Sequence, residues 1–138
     1  MSWLTDMFRK PAPLIEMPSP RIRIRSDQVH IDTDGVLTVT GLKGCYLAAL
    51  EPSNSMEPGI DDGMYVVLDT TIPFTDMIVG DIIYYETGTY RAIHRITKIG
   101  NDNRGWFATT KGDNPNSLPD GIRVRPEHIK GVWRDTLN

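Results

Sequence analysis

Short β-type runs cut by turn-forming residues dominate this chain, and they limit its fold more than any other feature. From Arg21 the pattern has a period of two, first in RIRIR and then in VHID and VLTVT on either side of Thr33-Asp34-Gly35. Alternation puts successive side chains on opposite faces of a strand, and Asp-Gly supplies the tight turn of a hairpin. Further runs rich in Val, Ile, Tyr and Trp fall at 64–68, 82–85, 90–99, 106–109, 122–125 and 129–133, between clusters of Gly, Asp, Asn and Pro. Convincing helical spacing occurs only near the start, where Trp3, Leu4, Met7 and Phe8 share one side of a short helix ahead of the Pro-rich KPAPLIEMPSP. The expected organisation is an N-terminal arm and linker over 1–20 and one mainly β domain, a sandwich or partly open barrel, over 21–138. A chain of 138 residues, 39% of them hydrophobic, suits a single core.

The net charge of -3 and the scattered basic residues argue against nucleic acid as a partner. With one cysteine, Cys45, the chain has no internal disulfide framework and no thiolate-rich metal site, so stability has to come from packing, and no metal is expected. No window reaches the roughly 20 apolar residues of a membrane span, and no secretory leader is evident, so a soluble, cytoplasmic protein is expected. Membrane association through the arm and self-association both stay open.

Two serines stand one residue apart in EPSNSMEPGIDDG, residues 51–63. Composition alone makes this a surface turn. A serine hydroxyl becomes a useful nucleophile when a neighbouring base takes its proton, and three histidines, His30, His94 and His128, are candidates. On a strand, His94 shares a face with Ala92 and Ile96, which makes it the partly buried one. Lys98 and Lys111 are rival bases.

Ser-Met-Glu-Pro at 55–58, Val-Gly-Asp-Ile-Ile-Tyr-Tyr at 79–85, Ile-His-Arg-Ile at 93–96, Thr-Lys-Gly-Asp-Asn at 110–114, Pro119-Asp120 and Ile-Lys-Gly at 129–131 resemble, in the same order, the motifs of type I signal peptidases. The similarity is closest to the branch of archaea, the endoplasmic reticulum and spore-forming bacteria, in which histidine replaces the bacterial lysine. The resemblance implies that fold, no cofactor, and a serine endopeptidase that binds an extended polypeptide as an added strand and cuts after small residues. It makes Ser55 the nucleophile, His94 the general base, and Asp120, with Asp113 second, the carboxylate that orients the imidazole. Ser53, with the backbone N–H of Ser55, matches the oxyanion donors, while Met56 and Pro58 shape the turn. Relatives usually carry a membrane anchor, so the chain reads as an anchor-free relative. Self-cleaving SOS repressors and mutagenesis proteins of the LexA and UmuD type share the β-fold and serine turn. They use a lysine base and cut themselves at an Ala-Gly or Cys-Gly step that this sequence lacks. A self-processing switch and an inactive binding module with the peptidase fold are the alternatives.

Overall fold

The computed structural model describes residues 24–49, 55–57, 60, 64–88 and 90–137. The expected arm at 1–20 and Ser53 lie outside them.

The fold is mainly β and antiparallel, with strands β1 (Val29–Ile31), β2 (Leu37–Val39), β3 (Cys45–Ala49), β4 (Tyr65–Asp69), β5 (Ile82–Thr87), β6 (Tyr90–Asp102), β7 (Gly105–Lys111) and β8 (Ile129–Leu137). β1 and β2 form a separate hairpin, closed as its Asp-Gly step suggests: Gly35 has φ +79°, and Asp32 Oδ1 accepts the N–H groups of Asp34 and Val36. The other six strands form one sheet in the order β3-β4-β8-β5-β6-β7. Its edge strands β3 and β7 do not pair with each other, so the sheet stays open rather than closing into a barrel. Among the described residues, no helix is long and apolar enough to cross a membrane.

Both faces of the sheet are covered, which explains the unbroken apolar run Ile82-Ile83-Tyr84-Tyr85 in β5. Ile83 and Tyr85 point into a cluster with Met77, Ile96, Ala108, Val124 and Val132. Ile82 points the other way, into a cluster with Met56, Ile60, Val66, Leu68 and Trp133. Met56, next to Ser55, is 2% exposed. Burying such a side chain contributes about 1.5–3 kcal/mol, so the serine turn is anchored in the core by its neighbour.

Two sequence readings need correction. Residues 122–125 are not a strand: the segment runs antiparallel beside β7, but Val124 makes only an isolated bridge to Ala108 and no ladder extends from it. β3 was not expected, since CYLAA lacks alternation; it is an edge strand whose residues are half-buried or exposed.

Candidate active site

β6 is the element on which the site is built. It pairs with β5 over residues 90–95 and with β7 over 95–102, so His94 lies where one partner strand gives way to the other. His94 is 7% exposed and stands opposite Ile83 in β5. Its Nε2 is 3.0 Å from Ser55 Oγ and its Nδ1 is 2.6 Å from Asp120 Oδ2.

The protonation pattern follows from the partners. Burial alone would raise the pKa of the Asp120 carboxyl, but hydrogen bonds from His94, Thr110 and Tyr85 outweigh it and hold the group below its ordinary value. An ionised carboxylate can only accept, so Nδ1 carries the proton and donates to it. In a neutral imidazole that leaves Nε2 as the acceptor for the Ser55 hydroxyl, the arrangement a general base needs.

Ser55, His94 and Asp120 therefore meet although they come from three separate segments. The loop after β7 makes this possible. Asp120 N–H donates to the Thr110 carbonyl at 2.8 Å, which folds the loop back on the strand it has just left. The same loop grips the serine turn: Asn114 N–H donates to the Ser55 carbonyl at 3.0 Å, Ser117 Oγ donates to it at 3.4 Å, and Asp113 N–H approaches Met56 Sδ at 3.4 Å.

Gly112 is where the two segments come closest. A Cβ there would lie 2.3 Å from the Ser55 carbonyl oxygen and 3.0 Å from Ser117 Oγ. Since the nearest atom is backbone, relief must come from moving the serine turn. Gly112→Ala should cost roughly 1–3 kcal/mol in thermal or denaturant unfolding and slow any reaction at Ser55. Unchanged stability and reactivity would show that the loop and turn are not tightly joined.

Asp113, the second choice to orient His94, is engaged elsewhere. Arg95 Nε donates to Asp113 Oδ1 at 2.9 Å and Arg95 Nη2 to Oδ2 at 2.8 Å, while Arg95 Nη1 reaches the Gly80 carbonyl at 2.9 Å. Arg95 follows His94 in the strand and so faces the other way, which takes Asp113 to the opposite side of β6. Neither rival lysine is placed as a base: Lys111 Nζ donates to the Gly112 and Asn114 carbonyls, and Lys98 is exposed. His30 is exposed, and His128 Nδ1 accepts the Arg125 N–H. Among the described residues, no group of His, Cys, Asp and Glu is placed to hold a metal ion.

Sequence reasoning missed Arg95, Tyr85 and Thr110. A tyrosine inside a buried apolar run is a usable signal, because its hydroxyl must find a partner in the core.

Ser55 and His94 open on a cleft of about 390 Å³ lined by Tyr46, Ala48 and Ala49 of β3, Tyr84 of β5, and Tyr90 to Ile93 of β6. Of the two strands that border it, β3 pairs with β4, and β6 is joined by β7 only from Arg95 onward. No protein-family model, curated protein or solved structure matches the chain.

Proposed function

We propose that the chain is a serine endopeptidase related to the Ser-His branch of type I signal peptidases, with a signal-peptidase-like β-fold. The observation that carries this reading is His94, with one ring nitrogen 3.0 Å from a serine hydroxyl and the other 2.6 Å from a carboxylate, at the wall of an open cleft. Ser55 Oγ attacks the scissile carbonyl while His94 Nε2 takes its proton, giving a tetrahedral oxyanion that the Ser55 backbone N–H and Ser53 receive. His94 then returns the proton to the departing amine, and the C–N bond breaks to leave an acyl-serine. A water activated by the same nitrogen hydrolyses that ester and restores Ser55. Asp120 keeps the Nδ1 proton in place and stabilises the imidazolium as it forms.

The edges of β3 and β6 at the cleft suit an extended peptide that pairs as an extra strand, with backbone hydrogen bonds giving affinity. Ala48, Ala49 and Ala92 leave room beside it. A peptide library should be cut after Ala or Gly, and a fluorophosphonate should leave one adduct, mapped to Ser55 by digestion and mass spectrometry. Cleavage after bulky or charged residues would overturn the substrate class. An adduct that never falls on Ser55 would overturn the nucleophile.

A further inference from the structure

Three donors converge on a single oxygen. Asp120 Oδ2 accepts from His94 Nδ1 at 2.6 Å, Thr110 Oγ1 at 2.6 Å and Tyr85 OH at 2.8 Å. The three come from different strands, β6, β7 and β5, and Tyr85 and Thr110 are both 0% exposed. A carboxylate needs no such cage to satisfy one imidazole. Hydroxyl donors on the oxygen that faces His94 fix both its position and its capacity to accept the Nδ1 proton.

We propose that Tyr85 and Thr110 are positioning residues whose hydroxyls lock the Asp120 carboxylate against His94, and so set the acid limit of the pH range in which Ser55 can be activated. This rests on reading Ser55, His94 and Asp120 as a peptidase site. Tyr85 stays a donor throughout that range, since burial, with Asp120 beside it, pushes its hydroxyl pKa far above the ordinary value. The other groups around the pair are accounted for. Tyr90 OH stands 3.5 Å from Asp120 Oδ1, the opposite oxygen, and the residue is 45% exposed and lines the cleft. Arg91 lines the cleft next to His94. Arg95 and Asp113 neutralise each other on the other face of β6, and the Lys111 ammonium is bound by two loop carbonyls.

Removing either hydroxyl leaves the burial of Asp120 less well opposed. Its carboxylate then holds a less dispersed charge, draws more strongly on the Nδ1 proton and favours the imidazolium, which cannot accept from Ser55. The direction is therefore fixed: activity should be lost earlier as pH falls.

The experiment follows the rate of fluorophosphonate labelling of Ser55 against pH in the full chain, for wild type, Tyr85→Phe, Thr110→Val and Thr110→Ser. Tyr85→Phe and Thr110→Val should each move the acid limb upward by roughly one pH unit, and Thr110→Ser, which keeps the hydroxyl, should restore it. The same variants are read independently by the downfield proton signal of His94 Nδ1–H, identified by its absence in His94→Gln. That signal should move to its imidazolium position at a correspondingly higher pH in Tyr85→Phe and Thr110→Val. If wild type shows the shift-sensitive signal but no label at Ser55, the peptidase reading fails while the role of the two hydroxyls stands. If both the limb and the signal stay where they are in wild type, in variants that melt like wild type, the hydroxyls only fill space and the proposal is wrong.

Discussion

Ser55→Ala and His94→Ala should each reduce turnover of a cleavable peptide by roughly 10⁶-fold, and Asp120→Asn by roughly 10⁴-fold. The first two remove the attacking oxygen and the nitrogen that accepts its proton. Asp120→Asn is subtler, because it keeps the size of the side chain. An amide in place of Oδ2 can present N–H to the imidazole, which favours the tautomer with its proton on Nε2, where it can no longer accept from Ser55. The losses should not add, since the groups act as a unit: the Ser55→Ala, Asp120→Asn double variant should be no slower than Ser55→Ala alone. Steady-state kinetics on purified variants, with circular dichroism to show the fold intact, supplies the check. A multiplicative double variant, or an Asp120→Asn protein within tenfold of wild type, would separate Asp120 from the chemistry.

The second large effect concerns the other aspartate, and it should appear in stability. Arg95 and Asp113 have side chains only 10% and 14% exposed, and they meet through two parallel hydrogen bonds. Truncating Asp113 takes away the carboxylate that accepts two hydrogen bonds from a largely desolvated guanidinium. Asp113→Ala should therefore destabilise the fold by about 3–5 kcal/mol, a fall in Tm of roughly 10–20 °C for a domain of this size. Replacing both, as in Arg95→Met with Asp113→Leu, should recover most of that loss, because the cost lies in stranding a charge rather than in losing the pair. Differential scanning calorimetry reads the result directly. If the double variant melts as low as Asp113→Ala, the pair contributes through geometry that no apolar replacement can supply. The two aspartates are then told apart by experiment: one mutation slows a well-folded protein, the other loosens the loop that grips the serine turn.

The contrast also marks how far the sequence could be read. Strands with a strong pattern, such as 64–68 and 90–99, were visible because β-branched and aromatic residues between Gly and Asp clusters have few other uses. Ser55, His94 and Asp120 were visible through ordered motifs, and the structure brings their side chains together. The partner of Asp113 was not visible. Nothing in a one-dimensional pattern says which of two carboxylates, two and nine residues after β7, will reach the His94 face and which the Arg95 face. That is decided by the Asp120 N–H to Thr110 carbonyl bond, a contact of the folded loop. β3 was hidden for a different reason: an edge strand needs only one partner and little burial, so it leaves a weak imprint on composition.

The order of strands was equally hidden, and it bears on how the protein is made. β4 and β5 are consecutive in the chain but do not pair; β8, the last of the described strands to leave the ribosome, lies between them. Until it arrives, the strands of the six-stranded sheet form a β3-β4 pair, whose connecting segment carries Ser55, and a β5-β6-β7 meander that carries His94. Each can zip locally and fast, but joining them waits for a long-range pairing, the slow kind of step in β-sheet folding. Ser55 and His94 are thus synthesised early, and a ribosome-bound chain that has not yet released β8 has only the loop after β7 to hold their segments together.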